Sequence, residues 1–255
     1  MPSIFITGAA SGIGKATALL FAQKGWFVGL SDVNEAALSD LHTRLGPDKC
    51  FARVMDVRQA EQVQSVLEQF GQHTQQGLDL LFNNAGILYM GPFETISLDK
   101  QKRMVEVNLM GILNCTYQAL PLLKNQPGAQ IINMSSASAM YGIPEFAVYS
   151  ATKHAVRALT EALSLEFESY KIKVSDIMPS FVRTPMVEAA DYKAGSLRKT
   201  KQMLSAEKIA ETVWKASQTH KVHWKLPKAL ALAETVLRLV PNGMRNFVRK
   251  STLKE

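Results

Sequence analysis

The sequence predicts one α/β domain built on a doubly wound, mostly parallel sheet with helices on both faces. Three observations carry that prediction. Short apolar runs alternate with stretches of helical period from residue 3 to about residue 218, a β-α-β rhythm that calls for crossover connections. The strand-like runs are apolar at consecutive positions, as strands covered on both faces are. A chain of 255 residues with 47% hydrophobic content can bury one large core, and no internal repeat, low-complexity segment or linker divides it.

Each element follows from its own stretch. "SIFIT" (3–7) reads as the first strand, "GIGKATALLFAQKG" (12–25) as a helix and "WFVGLSD" (26–32) as the second strand. "CFARVMD" (50–56), a helix near 59–73, "LDLLFNNAG" (78–86) and a long helix near 98–123 continue the alternation. "AQIINMSS" (129–136), a helix near 148–169 and "IKVSDIMP" (172–179) complete the regular part. Residues 180–204 then show little periodicity. A long irregular segment directly after a strand's carboxyl end is where such a fold carries a substrate lid. A helix near 205–218, the strand-like "KVHWKL" (221–226) and an amphipathic C-terminal region close the chain.

The first strand runs into "TGAASGIG" (7–14), with glycines at 8, 12 and 14, and straight on into a helix. Gly8 allows the tight turn, Gly12 a close approach to a pyrophosphate and Gly14 the packing of helix on strand, while the helix N-terminus offers unpaired N–H groups to the anion. A structural strand-to-helix turn would need the same glycines. The place of the loop, between the first strand and first helix of a β-α-β unit, favours a Rossmann-type dinucleotide site. Asp32 ends the second strand, where a carboxylate can accept from both ribose hydroxyls; a turn or helix N-cap aspartate is the alternative. With Val33 following it rather than a basic residue, NAD is expected rather than NADP.

On these motifs the chain resembles the short-chain dehydrogenase/reductase family, over nearly its whole length to about residue 218. "TGAASGIG" is similar to the family's nucleotide loop, which brings in Ser11 and Ile13, and "NNAG" (83–86) to its sheet-stabilising motif. Asn108, Ser136, Tyr149 and Lys153 resemble its catalytic four, with Ser136 at the customary thirteen residues before Tyr149. The resemblance implies that Asp56 and Val57 face the adenine ring and that Asn84 and Ala85 line the adenosine ribose. It also implies that Val182 and Thr184 hold the nicotinamide carboxamide. Ser180 departs from the family's usual Pro-Gly after Pro179.

Residues 1–218 are therefore read as the dinucleotide-binding and catalytic part, lid segment 180–204 included, and 219–255 as a last strand and basic amphipathic extension of the same domain. Interconverting an alcohol and a ketone needs a group that exchanges the hydroxyl proton. A tyrosine with an ordinary pKa near 10 does this at neutral pH only if its phenolate is stabilised. Four residues along a helix, Lys153 can place its ammonium near Tyr149 for that purpose. The resemblance adds that Lys153 grips the nicotinamide ribose and that Asn108 holds a relay water. Ser136 is expected to bond the substrate oxygen. Taken singly, Asn108 also reads as a surface asparagine, Ser136 as a strand-end hydroxyl and Tyr149 as a packing residue. Met90, Tyr141, Phe146, Phe181 and Met186 flank the motifs, as an apolar pocket or as core.

The formal net charge of +7 is uneven, since residues 220–255 hold eight Lys/Arg against two Glu. Within 223–250 apolar and basic positions recur at helical spacing, which fits a membrane-surface helix, a lid or subunit contact, or a docked helix with a solvated face. With the body nearly neutral, nucleic acid is not an expected partner. Cys50 and Cys115 are far apart, with no Cys-x-x-Cys pair, so reduced thiols are expected and neither a disulfide nor a metal site. No run of about 20 apolar residues occurs, and a cytoplasmic protein, peripheral to a membrane at most, is expected. The leading expectation is an NAD-dependent oxidoreductase acting on a secondary alcohol or ketone of moderately hydrophobic character, as a homodimer or homotetramer. The alternatives are a membrane-associated enzyme for a lipid-derived alcohol or aldehyde, and an NAD-binding regulatory protein without turnover.

Overall fold

The computed structural model describes residues 1–200 and 202–227, with the single positions 229 and 243. Its sheet has seven parallel strands in the order β3-β2-β1-β4-β5-β6-β7. The strands are β1 (Ser3–Thr7), β2 (Phe27–Asp32), β3 (Cys50–Val54), β4 (Leu80–Asn83), β5 (Gln130–Met134), β6 (Lys173–Pro179) and β7 (His223–Leu226). All five residues of β1 are buried, as strands covered on both faces must be. Ile4 and Ile6 point to one core and Phe5 to the other.

Helices α1 (Gly12–Gln23), α2 (Glu35–Leu45) and α9 (Ala206–Gln218) cover the first face, through Phe21, Leu41 and Val213 among others. Helices α3 (Ala60–His73), α5 (Gly111–Lys124) and α6 (Ala147–Glu166) cover the second, where Phe70 and Leu123 are fully buried. Helix α2 is an addition to the expected elements. Only Leu38 and Leu41 of its eleven residues are buried, a stripe too narrow to stand out in the sequence, and Asn34 caps it by accepting from the Ala37 N–H at 3.1 Å.

The expected long helix is one rod with a fault in it. Helix α4 (Leu98–Val105) passes into α5 through five residues of π-helix, Glu106–Met110, centred on Asn108. Such bulges mark helices that must re-aim a side chain. The strands after 50 and 130 end earlier than expected, at Val54 and Met134, so that Met55–Val57 and Ser135–Ser136 leave the sheet at its carboxyl edge. The 180–204 segment holds two one-turn helices, α7 (Pro185–Glu188) and α8 (Gly195–Arg198). The basic region beyond β7 lies outside the described residues, apart from Pro227 and the two single positions. No helix among the described residues is long and apolar enough to cross a membrane.

Chain order reverses at β1, whose neighbours are β2 and β4. In an open parallel sheet the crevice beyond the carboxyl ends of the strands at that point is the natural ligand site.

Candidate active site

The loop after β1 is shaped by its glycines. Gly8 and Gly12 have φ of +66° and +48°, the left-handed region that glycine enters freely. A Cβ on Gly14 would stand 2.1 Å from the Gly8 carbonyl oxygen, so α1 seats directly on the loop. Ser11 precedes α1 without making a side-chain cap, which leaves N–H groups of the first turn available to an anion. The exit of β4 is stitched to the same loop. The Thr7 hydroxyl accepts from the N–H groups of Asn84 and Ala85, and the Asn84 amide donates to the carbonyls of Thr7 and Gly8, all at 3.0 Å. Beneath it, the Asn83 amide donates to Thr116 (3.1 Å) and Asn133 (2.9 Å), and Asn133 donates to Thr160 (3.0 Å), a buried chain that ties α5 and α6 to the sheet.

Above this floor runs a cavity of about 590 Å³, crossing the strand ends from β3 to β6. Gly8, Ser11, Gly12, Ile13, Asp32, Asp56, Val57, Asn84 and Ala85 all line it, whereas Gly14 lies behind, under the loop. The Asp32 carboxylate accepts from the N–H groups of Ala10 (2.9 Å) and Asn34 (3.0 Å). Asn34, not Asp32, caps α2, so the N-cap alternative for Asp32 falls. Asp56 has a partner that the sequence did not announce. Both its oxygens are engaged by the Arg58 guanidinium, at 2.5–3.0 Å, and that hydrogen bond holds its carboxyl below the usual range. Arg58 lines the cavity beside it and reaches Glu106 at 3.6 Å. In the sequence, the only signal for Arg58 is a basic residue two places after Asp56.

At the opposite end Ser136 follows β5, and Tyr149 and Lys153 stand one turn apart on α6. All three line the cavity. In the protein alone, burial outweighs the neighbouring groups at Tyr149. Burial pushes the phenol up to about 12, against a smaller opposing influence of Ser136, and burial lowers Lys153 to about 8. Removing either group from water favours its neutral form.

Asn108 is fully buried and does not reach the cavity. Its side chain accepts from the Ile87 N–H (2.8 Å) and donates to the Ile87 carbonyl (2.9 Å) and to Thr152 (3.4 Å). It is no surface asparagine. Gly86 separates it from the cavity, and a Cβ there would lie 3.3 Å from Asn108 Oδ1 and 3.9 Å from Lys153 Nζ.

Val182 and Thr184 line the cavity, and Thr184 starts α7 with its methyl 3.2 Å from where a Gly12 Cβ would be. Ser180 needs no left-handed backbone, and its N–H donates to the Leu226 carbonyl at 2.8 Å. Of the apolar candidates, Tyr141, Phe146, Phe181 and Met186 line the cavity. Met90 is core beneath it, packed with Phe146, Ala194 and Leu197. Cys50 and Cys115 are free and buried, and burial raises their thiols to about 11 and about 12. The glycine cradle, the uncapped helix start and the Asp32 carboxylate together fit a dinucleotide.

Comparison with known proteins agrees with this geometry. Residues 2–194 match the family model described as short chain dehydrogenase. Over 213 residues the chain is 34% identical to a cyclohexanol dehydrogenase of Acinetobacter sp. (strain SE19), covering 82% of this chain and 84% of the relative. A short-chain dehydrogenase/reductase crystal structure from Burkholderia phymatum, in complex with NAD, superposes with a TM-score of 0.84 at 25% identity, covering 93% and 92% of the two chains. An alcohol dehydrogenase from Thermococcus sibiricus, complexed with 5-hydroxy-NADP, superposes at 0.79 with 26% identity, covering 89% of this chain and 96% of that one.

Proposed function

Since the chain belongs to the short-chain dehydrogenase/reductase family of oxidoreductases, we propose that it interconverts a secondary alcohol and its ketone, of moderately hydrophobic character, with NAD(H). The observation that carries this reading is that Ser136, Tyr149 and buried Lys153, the last two one turn apart on α6, line the same end of a glycine-cradled cavity. The choice of NAD rests on Asp32, whose carboxylate would repel a 2′-phosphate, and on exposed, uncharged Val33 beside it.

The nicotinamide, when bound, supplies the hydride acceptor for oxidation and the donor for reduction. Tyr149 takes the hydroxyl proton as the alcohol is oxidised and returns it to the carbonyl oxygen in the reverse direction. Ser136 holds that oxygen as charge builds on it, a preorganised donor in a site removed from water. Lys153 is fixed by its 2.7 Å bond to the Met134 carbonyl and, while charged, favours the phenolate. Tyr141, Phe146, Phe181 and Met186 offer the apolar wall for the substrate's body. The assembly proposed is a homodimer or homotetramer through α5, with the π-helical turn before it, and α6, where Met110, Leu113, Tyr117 and Leu165 are 37–73% exposed, an apolar surface of the kind that marks an interface.

The test is reduction of NAD by a panel of secondary alcohols, with cyclohexanol as the first probe. Tyr149→Phe should abolish turnover and leave NADH affinity within about twofold of the parent. Full activity in that variant would overturn the mechanism.

A further inference from the structure

The lid is held by a residue that lies outside it. Glu145 sits four residues before Tyr149, and its carboxylate accepts from two lid donors, the Tyr192 hydroxyl on one oxygen and the Gly195 N–H, at 2.7 Å, on the other. Gly195 is the first residue of α8, so this carboxylate satisfies an otherwise unpaired donor at the start of that helix. The Glu145 carbonyl also accepts from the Gly91 N–H at 3.0 Å, which ties in the loop after β4. Three separate segments meet at one residue.

Its backbone is in a high-energy state. Glu145 has φ of +66°, a conformation a non-glycine residue keeps only when its surroundings impose it. The surroundings here are the Gly91 bond to its carbonyl, the Phe146 N–H bond to the Ile143 carbonyl and the lid contacts of its side chain. Helix α8 has four residues and cannot hold its shape alone. Its Leu197 packs with Met90 and Phe146 on the inner side, while Ser196, Lys199 and Thr200, at i, i+3 and i+4, present one face to the cavity. The Tyr192 contact lies at the surface, where water competes for it. Two breakable hydrogen bonds therefore tie the lid to this residue.

We propose that Glu145 is the latch of the lid, a positioning residue that sets α8 over the substrate end of the cavity and lets substrate in and out when its bonds to Tyr192 and Gly195 break. The latch rests on reading the Phe146–Phe181 end as the substrate end. Glu145 stands next to Phe146 and on the lead-in to the helix that carries Tyr149, so the same residue sets the lid's position relative to the proton-transferring group.

Limited trypsin digestion of the full chain tests the latch without any knowledge of the substrate, since Lys193, Arg198 and Lys199 lie in the lid. Glu145→Gly is the principal variant, because glycine adopts φ +66° freely while removing the side chain that carries the carboxylate. Cleavage at 193–199, followed by intact mass, should accelerate about tenfold in Glu145→Gly and about threefold in Tyr192→Phe. Glu145→Gln, which can still accept from Gly195, should fall between the parent and glycine. With cyclohexanol and NAD, the KM of Glu145→Gly should rise at least threefold, with kcat unchanged or higher and NADH affinity within twofold. Lid cleavage at the parent rate in Glu145→Gly would overturn the latch, as would an equal acceleration at sites outside the lid accompanied by a lower Tm. If the parent does not turn over cyclohexanol, the substrate reading fails there and digestion alone decides the latch.

Discussion

The Lys153 ammonium lies 5.5 Å from the centre of the Tyr149 ring, yet its 2.7 Å hydrogen bond runs to the main-chain oxygen of Met134. The lysine is thereby pinned between β5 and α6, close enough to act on the phenol through space without bonding it. Burial acts on both groups in the direction of neutrality, and it dominates in each. At neutral pH the site without ligands therefore keeps its exchangeable proton on Tyr149.

That proton sets opposite pH profiles for the two directions. With Tyr149 raised to about 12, the phenolate needed for alcohol oxidation is scarce at neutral pH and grows with each rise in pH. The logarithm of kcat/KM for oxidation should climb with a slope of about one between pH 6 and 8. Ketone reduction uses the phenol and should stay level over the same range. Initial rates in both directions check this, and a level oxidation profile would point to a different base.

Lys153→Met should trade activity for stability. Holding a lysine at about 8 instead of 10.5 costs about 3 kcal/mol at pH 7. Losing its bond to Met134 returns about 1–3 kcal/mol of that through the orphaned carbonyl. The variant should be inactive and more stable by about 1 kcal/mol at pH 7 in urea unfolding. Its folded pKa being depressed, the lysine's penalty is full below about pH 8 and gone above 10.5, so the advantage should shrink across that window.

Asp32 should decide the cofactor. The parent is expected to bind NAD at least about tenfold tighter than NADP, a difference of about 1.4 kcal/mol. Asp32→Asn keeps an acceptor for the Ala10 N–H while removing the charge, and should bring the two affinities within about threefold. Fluorescence titration with NADH and NADPH measures both. A parent that prefers NADPH would refute the reading.

The buried amide chain should be worth more than its single bonds suggest. Asn133→Ala leaves the Asn83 amide and the Thr160 hydroxyl each short of a partner, at about 1–3 kcal/mol per orphaned group. Unfolding free energy should drop by about 2 kcal/mol or more, with β4 and β5 losing hydrogen-exchange protection first. A loss under about 0.5 kcal/mol would mean that the chain does not brace the sheet.

The β-α-β rhythm, the glycine loop and the placing of Tyr149 and Lys153 on one helical turn were all readable from residues near one another in the chain. These are local quantities: a period, a backbone freedom, an i to i+4 spacing. Asp32 was readable for the same reason, as the end of a strand. Helix α2 escaped because two buried leucines make too faint a stripe. Arg58 on Asp56, Glu145 on Tyr192 and Gly195, and Asn108 turned into the wall behind Gly86 escaped because nothing local says where a side chain finds its partner.

The sequence by itself determined the architecture and named Ser136, Tyr149 and Lys153 as a candidate cast, which the fold brings to one cavity, since periodicity and spacing act within one element. Only the tertiary structure decided the protonation of that cast. Desolvation sums over neighbours that β5, α6 and the lid bring together from distant parts of the chain, and at Tyr149 and Lys153 it outweighs the charge attraction that their spacing alone would suggest.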